Sequence, residues 1–196
     1  MEALVIYVFM GSLAAYALYL TFRGRGQAIA DPTLGFLNLG GESFAPLAAE
    51  DRAAIAPLFS KVENGTGHPV PKCDVLFVYA DIAADGSLGL GRELTIRHLA
   101  DKAGASIVVL ASNNRAEDSI TASKLPGPKR GNLVYTLNRR GESFPRFFKE
   151  LFTRMKAGKP MPMAWNAIAP QYKSEKHEDL PETICLLEAG QVRFRR

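Results

Sequence analysis

Cysteine and histidine are scarce in this chain: of 196 residues, two are cysteine and three are histidine. Cys73 and Cys185 stand far apart, without C-x-x-C spacing and without histidines beside them, which argues against a zinc site. Two separated thiols, each next to an apolar run, are expected to be buried and free, as in a cytosolic domain. No segment repeats and none is of low complexity, so repeat arrays and biased tracts are excluded. No Walker lysine follows the glycine-rich "GSLGLG" at 86–91, whose spacing is G-x-x-G-x-G rather than G-x-G-x-x-G. It reads as a loop, and no cofactor is expected. A recognition helix and an aromatic-basic platform are also missing, so the formal net charge of +4 does not point to nucleic acid.

The most informative absence is that of charge between residues 3 and 22, "ALVIYVFMGSLAAYALYLTF". About 20 apolar residues at a rise of about 1.5 Å match the roughly 30 Å hydrocarbon core of a bilayer. A cleaved signal peptide would carry a basic n-region, but here Met1-Glu2 precede the stretch and Arg23 and Arg25 follow it. Residues 3–22 are therefore expected to form a transmembrane helix whose partner is membrane lipid. The positive-inside rule puts everything after it in the cytoplasm. Tyr19 is best placed for the interface, and Gly11, Ser12 and Ala15 leave room for helix–helix association. The expectation is a single-pass protein of the inner (plasma) membrane with a cytoplasmic C-terminal domain.

What remains is ordinary globular sequence, 47% hydrophobic and 22% charged over the whole chain. Residues 23–32, with Gly24, Gly26 and Pro32, read as a linker, and 33–196 as one domain. "TLGFLNL" (33–39), "CDVLFVYADI" (73–82), "SIVVLASNN" (106–114) and "NLVYTLN" (132–138) read as strands. Their continuous apolar character is that of strands buried on both faces. Helical spacing marks 45–65, "ELTIRHLADKAG" ending at Gly104, and the stretch after Ser143, which is expected to cap it. In that last helix Phe144, Phe148, Leu151, Phe152 and Met155 form an apolar stripe, and Ala164, Trp165 and Ile168 face the core from the next one. Residues 115–131 are expected to be a polar loop, and "TICLLEAGQVRFRR" a hairpin turning at Ala189-Gly190-Gln191. Strands alternating with helices imply an α/β domain with a mainly parallel sheet.

The same segments carry a resemblance. "LGFLNLGGESFAPLAAEDRAAIAPLF", "DVLFVYADIAADGSLGLG", "ASIVVLASNN" and "FFKELFTRMKAGKPMPMAWNAIAPQ" together resemble the CHAT domain, a bacterial relative of caspases and separase. The resemblance covers residues 34–194 and implies a caspase-like (Rossmann-like) three-layer fold. Proteases of that family use a histidine at the end of one strand and a cysteine at the end of the next, the imidazole activating the thiol. The resemblance places those positions on Asp81 and Asn113, neither of which can do the work. The family's chemistry is thus expected to be lost, and protein–protein interaction at the membrane, as scaffold or sensor, to be the function.

Carboxyl ends of parallel strands are where α/β proteins hold ligands. Asp81, Asp85, Ser112, Asn113 and Asn114 are therefore the candidate binding rim, though Asn113 and Asn114 also suit a plain strand-ending loop. Three other readings stay open. Asp81 and Asp85 are weak evidence for a magnesium site. Asp81 with the 115–131 loop could serve a membrane-tethered hydrolase. The crevice beside Asn113 could take a small molecule. His68, His98 and His177 read as surface residues; "KLPGPKRG", Arg139, Arg140 and the terminal "RFRR" supply basic side chains, each expected to add about 1 kcal/mol where it reaches an anionic lipid surface near the tether.

Overall fold

β-Branched and aliphatic runs become the strands of a six-stranded sheet in a computed structural model that describes residues 26–67, 69–88, 94–136, 139, 141–174 and 183–195. Residues 3–22 lie outside the described residues. Among the described residues no helix is long and apolar enough to cross a membrane.

In chain order the elements are β1 (Ala28–Ala30), β2 (Leu34–Asn38), α1 (Ala45–Ile55), β3 (Val62–Gly65), β4 (Val75–Tyr79), α2 (Ile96–Ala103), β5 (Ile107–Ala111), α3 (Ala116–Lys124), β6 (Asn132–Thr136), α4 (Ser143–Lys156), α5 (Met161–Ser174), β7 (Thr183–Leu187) and β8 (Arg193–Arg195), with short 3-10 turns before and after α1. The main sheet has the order β3-β2-β4-β5-β6-β7. Every pairing in it is parallel except that of β7 with β6. This is a doubly wound order with its switch point between β2 and β4.

Alternation along the strands sends side chains to opposite faces. One row runs Phe36–Phe77–Val109–Val134–Cys185 across five strands. It packs under α1, α4 and α5 through Ile55, Phe148, Leu151, Phe152, Ala164, Trp165 and Ile168. The adjacent row, Leu37–Val78–Leu110–Tyr135–Ile184, packs under α2 and α3 through Ile96, Leu99, Ala100, Ala103 and Ala122. Helices thus cover both faces, which is why β4, β5 and β6 are buried along their whole length. The aromatic stripe of α4 is as expected: Phe148 meets Phe77 edge-on at 5.3 Å, and Phe147 meets Trp165 at 4.6 Å.

Several local expectations change. Residues 115–131 are not one loop, since Ala116–Lys124 forms α3. The Asp118 carboxylate accepts the Arg115 N–H at 3.2 Å, and the buried face is Ser119, Ala122 and Ser123. Small polar residues face the core there, so no apolar period shows. The helix begun at Ala45 stops at Ile55, because Pro57 has no N–H to continue it. Its expected tail is instead the edge strand β3. Ser143 is the first helical residue of α4 rather than its cap. The C-terminal segment is not a hairpin: β7 joins β6, while β8 pairs in parallel with β1. That pairing also puts a strand inside the stretch read as a linker. α2 follows the sequence closely, with the Thr95 Oγ1 accepting from the His98 N–H and Gly104 closing it at φ 74°.

Candidate functional site

At the carboxyl ends of the parallel strands, Asn38, Tyr79, Ala111 and Thr136 lie side by side in register on the α1 and α4 face, followed by Thr183, the first residue of antiparallel β7; all but Ala111 are polar. The candidate rim lies just beyond it. Because β4 and β5 are parallel neighbours, Asp81 and Asn113 meet, and the Asp81 carboxylate accepts the Asn113 backbone N–H at 3.1 Å. Both residues are exposed.

Asn114 faces the other way. Its Oδ1 accepts the Ile82 N–H at 2.5 Å and its Nδ2 donates to the Ile82 carbonyl at 2.9 Å. An amide side chain here copies a strand's pairing and continues the β4–β5 ladder past its end. Nδ2 also reaches the Asp118 carboxylate at 3.3 Å, joining the ladder to the first turn of α3. Ser112 is fully buried. Its hydroxyl donates to the Thr136 carbonyl at 2.9 Å, and its carbonyl accepts the Arg139 N–H at 2.9 Å. The Asp85 carboxylate accepts from the N–H and hydroxyl of Ser87 at 3.0 and 2.6 Å, a local turn of the Asx kind. Four of the five rim residues are therefore held together with the backbone around them. Asp81, Asp85 and Asn113 are exposed, and of these Asp81 and Asn113 touch. Among the described residues no group of three His, Cys, Asp or Glu is placed to hold a metal ion.

The switch point itself is filled from within. Asn38 Oδ1 accepts the Gly40 N–H at 3.1 Å and its Nδ2 donates to the Gly41 carbonyl at 2.8 Å. The buried Phe44 ring lies directly on Gly40, where a Cβ would overlap it.

Behind the rim lies a buried charge cluster that sequence reading missed. Arg139, expected at the surface, is 2% exposed. Its Nη2 donates to Asp51 Oδ1 at 2.6 Å and to Glu50 Oε2 at 3.1 Å. Its Nη1 donates to the Gly141 carbonyl at 2.7 Å, and its guanidinium stacks 4.8 Å over the Phe144 ring. Asp51 Oδ2 also accepts the Tyr79 hydroxyl at 2.9 Å. Burial pushes the Asp51 carboxyl up to about 6, against the opposing pull of Arg139 and Tyr79. Burial likewise raises the Tyr79 phenol well above its ordinary value, with the Asp51 charge adding to it. One signal could have exposed the cluster: Asp51 sits four residues from Leu47 and from Ile55, on the inward stripe of α1. Next to it, the hydroxyl of Thr136 is buried without a hydrogen-bond partner among the described residues.

A second buried pair lies on the opposite face. Arg97 donates to Glu188 at 2.6 Å, with side chains 5% and 4% exposed. It also donates to the carbonyls of Ser123, at 2.9 Å, and Leu125, tying α2 to the end of α3 and to β7. His98, half-buried, bonds the Thr95 hydroxyl at 3.0 Å, while His68, His177 and Arg140 lie outside the described residues.

Neither thiol belongs to the rim. Cys73 precedes β4 at the opposite end of the sheet, and Cys185 sits mid-strand under the core. Both are buried and free. Burial pushes each thiol up to about 12, so neither ionises near neutral pH. At the rim the exposed Asp81 carboxylate meets the backbone N–H of exposed Asn113. No protein-family model matches the sequence, and no curated protein matches it either.

Proposed function

We propose that this protein is a single-pass, membrane-anchored scaffold or sensor whose cytoplasmic domain is a caspase-like fold without proteolytic chemistry, and that it works by binding another protein. The observation that carries the reading is the meeting of Asp81 and Asn113 at 3.1 Å on adjacent strand ends. A histidine–cysteine pair requires two positions in contact at the ends of neighbouring strands, and these two are in contact. They hold a carboxylate and an amide, which supply no nucleophile of the cysteine type. The helix-covered, mostly parallel sheet supports the same reading, as does the burial of both thiols far from the rim. Ser112 and Asn114 are committed to holding the rim's own backbone. The exposed Asp81–Asn113 edge is left as the surface for a protein partner.

The experiment has two arms on the full chain expressed in a bacterium. The protein should stay with membranes through carbonate extraction, and a thiol-reactive peptide probe should not label the folded protein. Extraction of the intact chain into the soluble fraction would end the anchored reading. Stoichiometric labelling of Cys73 or Cys185 that is lost on unfolding would end the non-proteolytic one.

A further inference from the structure

We infer that the end of the domain at which the parallel strands begin is a docking surface for anionic lipid headgroups. The inference deepens the membrane-anchored reading and rests on it. In a parallel α/β domain every crossover helix runs back to the amino ends of the strands, so helix carboxyl termini gather there. In this chain those termini are basic. Lys102 stands in the last turn of α2 and Lys156 ends α4, as favoured by the helix dipole, and Lys159 follows three residues later. Lys72 joins them from the start of β4, its Nζ donating to the Lys102 carbonyl at 2.5 Å, and Lys156 donates to the Leu58 carbonyl at 2.6 Å. β8 adds Arg193 and Arg195, and all six side chains are exposed. Arg195 and Lys156 line one small recess together with Asp31.

The carboxylates at this end are mostly engaged. Asp74 accepts both the N–H and the hydroxyl of Thr33, at 2.9 and 2.8 Å. Glu63 pairs with Lys61 at 3.1 Å, and Asp101 with Arg130 at 3.2 Å. The other end of the domain has the opposite character, with Glu42, Asp81, Asp85, Glu117 and Glu142 all exposed. Exposed Arg115 and Arg146 also lie at that end, Arg146 paired with Glu142 at 3.7 Å, but the carboxylates named outnumber them.

The chain's path brings the basic end to the bilayer. β1 pairs with β8, and the Arg193 N–H donates to the Gln27 carbonyl at 2.9 Å. The Ser106 hydroxyl, at the start of β5, donates to the Gln27 side chain at 2.8 Å. Residue 26 therefore enters the fold at the amino ends of the strands. Four residue steps separate it from Phe22, the end of the apolar stretch, and they span at most about 14 Å. Charge acts over about 8–10 Å at physiological salt. A domain tied this closely cannot turn its basic end far from the headgroups, and each Lys or Arg that reaches an anionic surface strengthens the contact.

The test places the full chain in nanodiscs of phosphatidylcholine alone or with about one-third phosphatidylserine. A fluorophore is attached at K159C or, as a control, at E142C, and headgroup-labelled nitroxide lipid serves as quencher. Docking predicts strong quenching at position 159 in the anionic discs, relieved by 0.5 M salt and by R193E/R195E, and little quenching at 142. Equal quenching at both positions, or no dependence on lipid charge, would overturn it. If the chain does not insert at all, the anchored reading fails, and the docking surface is then read by flotation with anionic vesicles. There R193E/R195E should weaken binding at least about 10-fold, and no flotation would overturn docking too. Displacement from the vesicles by stoichiometric duplex DNA would assign the basic end to nucleic acid and overturn the lipid reading.

Discussion

Arg139 and Asp51 form an ion pair of 2.6 Å in which neither side chain has any exposed surface. The pair joins the loop after β6 to α1, and Tyr79 ties it to the end of β4. Removing one partner leaves an uncompensated buried charge. R139A is expected to cost about 3–5 kcal/mol, whereas replacing both residues with apolar ones of similar volume, R139M/D51L, recovers much of the loss. Denaturant unfolding of the chain from residue 26 onward checks both.

The same cluster predicts a pH dependence. Asp51 has its carboxyl raised from 3.8 to about 6 by burial, so between those values the folded state binds a proton that the unfolded state has released. Stability from this group is therefore fully present below about pH 4 and falls as pH rises through 6. The loss amounts to at most about 3 kcal/mol. Unfolding curves of wild type and D51N from pH 4 to 7.5 should diverge in that window, with the wild type losing more on the alkaline side. Parallel curves would show that Asp51 does not titrate there.

Asn114 and Asn113 are adjacent in sequence and opposite in role. N114A removes partners from both the N–H and the carbonyl of Ile82, and should cost about 1–3 kcal/mol. N113A removes an exposed side chain whose backbone alone contacts Asp81, and should stay within about 0.5 kcal/mol. A partner that binds the rim would distinguish them in the other direction, weakening with N113A and D81A while the fold is unchanged.

Thiol reactivity offers a direct measure of local opening. Cys73 and Cys185 are buried, with thiols held protonated. Neither should react with an aromatic disulfide reagent at pH 8 until the domain unfolds, so reaction rates should follow denaturant in step with loss of the Trp165 fluorescence signal. Fast reaction of Cys185 in native buffer would show that β7 detaches from β6.

Trp165 closes the helical layer over the sheet, 7% exposed and against Phe147 and Phe148 at 4.6 and 6.2 Å. W165A should cost about 3–5 kcal/mol, with W165F retaining most of the edge-on contact and losing less. Thermal unfolding of the two variants compares them.

Short-range physics made much of this protein legible from its sequence. Four buried strands, the helix that Gly104 ends and the aromatic face of α4 follow from periodicity and from that glycine. Those signals are local, and neighbours a turn or a pleat apart are enough to produce them. The sequence also put Asp81 and Asn113 at strand ends. Tertiary structure decided that they touch, because contact across strands depends on which strands are neighbours. It likewise decided that Ser112 and Asn114 serve the backbone, since their partners, Thr136 and Ile82, come from other strands. α3 leaves no apolar period in the sequence, because serines and an alanine fill its inner face. β1 and β8 pair across most of the chain's length, and neither carries more than one large apolar residue. An isolated arginine belongs in water, so the sequence alone points Arg139 to the surface. Only a fold that brings Asp51, Glu50, Tyr79 and Phe144 around it can make burial tolerable, and no window of sequence contains all of them.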